Sequence, residues 1–125
     1  MLHFSSVMVN TDNLKQLVAF YSQVFGKDPD WQDDGYAGFE TGGLYFMIGS
    51  HDKIKGKSRD SHRLLLNFTT SDVNGEFKRL KPLASAVIAE PYSMDQDQSG
   101  MTIATLADPD GNYFQLMTPM DDKAN

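Results

Sequence analysis

Apolar and polar positions along this chain alternate, pass into helical spacing and return to alternation, and the whole order is then written a second time. FSSVMVN (4–10) alternates and is β-branched, as a half-buried strand should be. In TDNLKQLVAFYSQVFG the apolar residues Leu14, Leu17, Val18, Tyr21, Val24 and Phe25 recur at the spacing of one helix face. Asp12 or Asn13 can cap its start, and Gly26 stands where a helix end takes a left-handed residue. Short strands are predicted around Trp31–Asp33, Tyr36–Thr41 and Leu44–Ile48, punctuated by Gly35 and by Gly42-Gly43. In the second half HRLLLNFTT (62–70) predicts a strand. SDVNGEFKRLKP predicts a short helix with Val73, Phe77 and Leu80 inward, ended by Pro82. Strands follow at Ala86–Glu90, Met101–Ala107 and Asn112–Met117.

Specific residues also repeat. GLYFMI (43–48) returns as GNYFQL (111–116), an offset of 68, while Asn13-Leu14 falls on Asp72-Val73, an offset of 59. The nine residues of difference match YSMDQDQSG (92–100), a polar stretch without a counterpart that reads as a flap or rim loop. The pattern therefore predicts an α+β fold of two tandem βαβββ modules. They run over about 4–50 and about 62–118, joined by a connector at 51–61, in one domain spanning residues 1–125.

Neighbours in a strand point to opposite faces. Val7 and Val9, with Leu66 and Phe68 in the second module, are expected under the helices, together with Phe46, Ile48, Phe114 and Leu116. Ser6, Met8, Asn10, Tyr45 and Met47 then face the other way, matched by Leu65, Asn67, Thr69, Tyr113, Gln115 and Met117. That second face mixes amides, hydroxyls, phenols and thioethers, as a ligand-lined concavity does.

Charge and composition narrow the classes. A net charge of −6 argues against a nucleic-acid grip. Basic residues crowd into HDKIKGKSRDSHR (51–63), but Gly and Ser dilute them, and the run reads as a solvated connector. Without Cys there is no disulfide framework and no thiolate chemistry. No apolar run approaches the ~20 residues of a membrane span, and MLHFSSVMVN lacks the pattern of an export signal, so a cytoplasmic protein is expected. No GxSxG elbow and no phosphate-binding glycine loop occurs. Trp31, Tyr36, Tyr92 and Asp95 are candidate rim residues, suited to aromatic stacking and to attracting a cation.

DPDGNYFQL (108–116) preceded by TIATLA, and the opening FSSVMVNTDNLKQLVAFYSQVFG, resemble the vicinal-oxygen-chelate superfamily, which contains glyoxalase I, extradiol dioxygenases and the fosfomycin- and bleomycin-resistance proteins. The resemblance runs from about Phe4 to Pro119. It implies two βαβββ modules with sheets curled around a concave cleft, the glyoxalase/bleomycin-resistance fold, usually completed in a homodimer. Metal-dependent members carry one ligand on the first and one on the last strand of each module, positions that fall here on Ser6, Met47, Leu65 and Gln115. Leu65 cannot coordinate, Met47 is a soft thioether, and Ser6 and Gln115 are neutral, so no metal and no cofactor is expected. His3 and His62 are expected on the wrong faces of their strands and His51 in the connector.

These features together predict a metal-independent small-molecule binder of drugs or metabolites, homodimeric, without nucleic-acid or membrane partners. Its expected ligand-binding residues are Ser6, Met8, Asn10, Tyr45, Met47, Leu65, Asn67, Tyr113 and Gln115, and no catalytic residue is assigned. Two alternatives stand beside it. One is a metal-dependent lyase, isomerase or dioxygenase of the same superfamily, or an enzyme using His62 or Glu40 as base. The other is a non-catalytic dimeric interaction domain.

Overall fold

Both helices of this protein begin with the same local device, spaced by the offset the sequence repeats. In the first, the side chain of Asn13 accepts from the Gln16 N–H at 3.2 Å, and the Asn13 N–H donates to Thr11 Oγ1 at 3.0 Å. In the second, Asp72 accepts from the Gly75 N–H at 3.0 Å, and the Asp72 N–H donates to Thr70 Oγ1 at 3.0 Å. Each cap satisfies a backbone donor that has no partner inside the helix.

The computed structural model describes residues 1–93 and 100–119. The chain divides into two compact units, Met1–Gly56 and a second from Lys57 onward. The first contains β1 (Ser6–Thr11), α1 (Leu14–Phe25), β2 (Trp31–Gln32), β3 (Tyr36–Thr41) and β4 (Leu44–Ser50). The second contains β5 (Leu66–Thr69), α2 (Val73–Leu80), β6 (Ala86–Ser93), β7 (Thr102–Ala107) and β8 (Tyr113–Met117). Each forms a four-stranded mixed sheet, ordered β1-β4-β3-β2 in one and β5-β8-β7-β6 in the other. The expected α+β architecture of two βαβββ modules is what the structure shows.

The ladders carry the repetition residue by residue. Parallel pairs Val7–Phe46, Met8–Met47 and Val9–Ile48 in the first unit correspond to Leu66–Phe114, Asn67–Gln115 and Phe68–Leu116 in the second. Both offsets read from the sequence therefore hold at once. The first hairpin closes on Gly42 and Gly43, with φ of 63° and 97°, the left-handed pair that a two-residue turn demands. The corresponding turn of the second unit is longer and is built on the fully buried Asp108. Its Oδ1 accepts from the Asp110 and Asn112 N–H groups at 2.9 Å each, and its Oδ2 from Asn112 Nδ2 at 3.0 Å.

α1 lays Leu17, Phe20 and Tyr21 on the sheet, and Tyr21 meets Phe46 at a ring separation of 4.7 Å. Phe25 closes the same cluster against Phe39 at 4.9 Å. The alternation in β4 does what the sequence predicts, burying Phe46 and Ile48. In the second unit Val73, Phe77 and Leu80 of α2 are buried, as are Phe114 and Leu116. Each such large side chain contributes roughly 1.5–3 kcal/mol by leaving water.

Three expectations need correction. Phe20 is a core residue that the helical-face reading missed. It packs edge-on against Tyr21 at 5.1 Å, while Leu14 and Val18 are only half-buried. β5 starts at Leu66, not at His62, because residues 61–63 form a turn. β2 is two residues long and ends at Gln32. Residues 51–60 are exposed. They are nonetheless anchored: Gly56 N–H donates to Asp12 Oδ2 at 2.8 Å within the first unit. Within the second, Lys57 Nζ and Ser61 Oγ donate to the Pro109 and Gly111 carbonyls at 2.6 Å. The flap expected at 92–100 lies largely outside the described residues.

Candidate functional site

The sheet of the first unit has one face under α1 and one turned away from it. Because β1 and β4 are parallel and β4 and β3 antiparallel in fixed register, the second face can be written as rows. Ser6, Tyr45 and Glu40 form one row, Met8, Met47, Gly38 and Trp31 the next, and Asn10, Gly49 and Tyr36 the third. The expected ligand residues Ser6, Met8, Asn10, Tyr45 and Met47 thus share a face. Trp31 and Tyr36, expected at a rim, are set in its rows instead.

Two glycines shape this face. A Cβ at Gly38 would fall inside the indole of Trp31, so the ring lies down on the bare backbone of β3. Its edge contacts Tyr45 at a centroid distance of 5.5 Å and an interplanar angle of 65°. A Cβ at Gly49 would meet Asn10 Oδ1 at 2.7 Å and Met8 Sδ at 3.3 Å, so these two side chains lean over that glycine. A lone glycine inside a strand signals such close approach, and Gly38 and Gly49 carried that signal in the sequence. Met8, Trp31, Tyr36 and Tyr45 remain between 38% and 48% exposed, a large apolar area for strand positions not covered by a helix.

The equivalent face of the second unit is made from different chemistry. Asn67, Gln115 and Thr105 lie side by side on β5, β8 and β7. Gln115 Nε2 donates to Thr105 Oγ1 at 3.1 Å, which turns its amide oxygen to the other side. Thr105 is a site partner that the sequence reading missed. Tyr113 and Tyr92 also belong to this face by register, while Leu65 lies exposed just before the first ladder pair of β5. Asp95 lies outside the described residues.

His62 is a further correction. The strand alternation expected to send it to the helix side does not apply, because β5 has not yet begun at residue 62. Its ring instead meets Tyr113 edge-on at 4.8 Å, placing an imidazole beside the Gln115 face.

Charge at the first unit's sheet edge is organised by Asp30. Its Oδ2 accepts from the Glu40 N–H at 2.6 Å and from Lys27 Nζ at 2.8 Å, and Lys27 Nζ also donates to the Glu40 carbonyl at 2.9 Å. The Glu40 N–H and then Lys27 hold the Asp30 carboxyl below the usual carboxylate range. On the helix side, an open groove of about 690 Å³ runs between α1 and residues 28–34, floored by Leu14, Val18 and Pro29 and edged by Asp28, Asp33 and Asp34. None of the expected site residues lines it.

The positions that resemblance assigns to metal ligands offer a hydroxyl at Ser6, a thioether at Met47, a hydrocarbon at Leu65 and a neutral amide at Gln115. Oxygen- and nitrogen-bound divalent cations want anionic oxygens or imidazoles, and this set supplies neither. Among the described residues, no three His, Cys, Asp or Glu side chains gather to hold an ion elsewhere. The residues do not fit the metal.

The family model for the Glyoxalase/Bleomycin resistance protein/Dioxygenase superfamily matches residues 3–116. No curated protein matches the chain. Several solved structures share its fold. A glyoxalase-related enzyme from Fulvimarina pelagi superposes with a TM-score of 0.77 at 13% identity, covering 95% of this chain and 89% of that one. A glyoxalase/bleomycin resistance protein/dioxygenase family enzyme from Burkholderia phytofirmans gives 0.75 at 22% identity, covering 94% and 98%. A genomically encoded fosfomycin resistance protein from Listeria monocytogenes gives 0.72 at 15% identity, covering 100% and 99%.

Proposed function

The chain belongs to the Glyoxalase/Bleomycin resistance protein/Dioxygenase superfamily, and from that premise we propose that it is a metal-independent binder of small organic molecules, held on the faces of its sheets turned away from the helices. One observation carries the reading. The ladder position that pairs Met8 with Met47 in one unit and Asn67 with Gln115 in the other is furnished for burying and orienting a ligand, not for coordinating an ion. Each face is read by itself: the first offers apolar and aromatic area for burying a ligand, and the second offers amides that can orient one. Homodimer formation is part of this reading, because each sheet has edge strands that another chain can cover.

The test is a thermal-shift screen of protein whose metal content has first been measured by elemental analysis. Metal is expected well below one equivalent per chain, and a ligand at a hundred times its Kd should add about 2.7 kcal/mol of stability. One equivalent of metal that is lost on Gln115→Ala would overturn the reading, as would a screen of aromatic and amphipathic compounds that shifts nothing.

A second reading, an enzyme working by proton transfer, is favoured by the placement of His62 against Tyr113. It predicts turnover of a bound ligand that disappears in His62→Gln while binding persists.

A further inference from the structure

We propose that the helix-free face of the first unit is a stacking floor for a planar aromatic cation. The inference rests on the binding reading above and names the ligand class that this face selects.

Its flatness has a cause in the sequence. Strand side chains ordinarily stand up from a sheet, and a face carrying Trp, Tyr and Met would be rough. Here the indole of Trp31 lies over Gly38, and Met8 and Asn10 lean over Gly49, because neither glycine has a Cβ to hold them upright. Tyr45 abuts the indole edge-on, and Tyr36 stands two residues before Gly38 on the same face of β3. The outcome is a low apolar surface whose principal element presents a π face, and a planar ring is the shape that covers such a surface with least lost contact.

The charge comes from Glu40. It is the charged member among the strand positions of this face, directly opposite Tyr45 in the β3–β4 ladder. The nearby cation, Lys27, is engaged by Asp30 at 2.8 Å and by the Glu40 carbonyl, not by the Glu40 carboxylate. A neutral ring laid beside Glu40 would strip water from a carboxylate and give nothing back. An anionic ring would be repelled. A cationic ring answers the carboxylate and is attracted by the face of Trp31 as well.

Trp31 is the single tryptophan of the chain, so its emission reports events on this face directly. Three rings of matched size separate stacking from charge: N-methylacridinium, N-methylacridone and anthracene-2-sulfonate. Affinities are measured by calorimetry, and tryptophan quenching is followed in parallel after inner-filter correction. N-methylacridinium is expected to bind roughly tenfold tighter than N-methylacridone, with the sulfonate weakest. Glu40→Gln should erase the advantage of the cation and leave the neutral ring unchanged. Trp31→Ala should weaken both by roughly tenfold, and Trp31→Phe should restore part of the loss. Glu40→Gln is expected to melt with the parent, whereas Trp31→Ala uncovers Gly38 and is compared with Trp31→Phe at a temperature where both are fully folded.

Equal affinity for cation and neutral ring overturns the charge assignment while leaving a binding function intact. Screen compounds that bind while every planar ring fails overturn the floor itself. If this face is covered by a second copy, Trp31→Ala will lower the mass in light scattering and no ring will bind, which also overturns the proposal. A screen in which nothing at all binds fails the parent reading and this one together.

Discussion

The two units of this protein place one backbone ladder under two kinds of side chain. At the position that pairs Met8 with Met47 in the first, the second pairs Asn67 with Gln115. One residue along, where the side chains turn toward the helices, Val9 and Ile48 stand where Phe68 and Leu116 stand, and the chemistry has stayed apolar. The difference teaches which positions the fold itself constrains. Helix-side residues must fill a closed volume at crystal-like density, so their character is restricted. Residues of the other face meet no helix, and packing leaves their identity freer.

The largest effect that would break this comparison lies in the cores. Phe46→Ala and Phe114→Ala remove equivalent buried rings, and each is expected to cost about 3–5 kcal/mol in urea denaturation. If one costs several-fold less than the other, the two units are not equivalent in their packing and the comparison loses its footing. The caps should answer more modestly. Asn13→Ala and Asp72→Ala are each expected to lose about 1 kcal/mol, read from the same denaturation midpoints. Gly75, whose missing Cβ leaves room for the Asp72 carboxylate, sharpens the point: Gly75→Ala should displace the cap but regain about 1 kcal/mol of helix propensity, so its net loss should be smaller than that of Asp72→Ala.

The smallest effect separates the units by pH. Asp30, which has no counterpart network among the described residues of the second unit, has its carboxyl pKa lowered first by the Glu40 N–H and next by Lys27. A carboxyl depressed in the folded state stabilises the protein above its unfolded value of 3.8, and that contribution fades as pH falls through the folded value. Asp30→Asn should therefore lower the melting temperature slightly at pH 7, and the gap from the parent should close as pH is taken below 3.8. A gap that persists unchanged in acid would assign the role of Asp30 to packing.

His62 and Phe20 mark where sequence reading stopped. The turn over residues 61–63 carries no local apolar period, and only the chain's path puts the His62 imidazole on Tyr113. Phe20 belongs to α1's buried stripe because the sheet meets the helix slightly to one side of the face that Leu14 and Val18 centre. The resting of Trp31 on Gly38 was half legible: the glycine advertised a close approach, but not what approaches.

What the amino-acid order determined by itself is the succession of elements, the two caps, the alternation of faces and the repetition at two offsets. These are properties of neighbours along the chain, set by sterics and by the periods of helix and strand. What tertiary structure alone decided is which side chains from different strands share a row, where the α1 stripe meets the sheet, and how Asp108 gathers the β7–β8 turn. Those depend on strand register and loop path, which are fixed by the packing of the whole unit and not by any local run of residues.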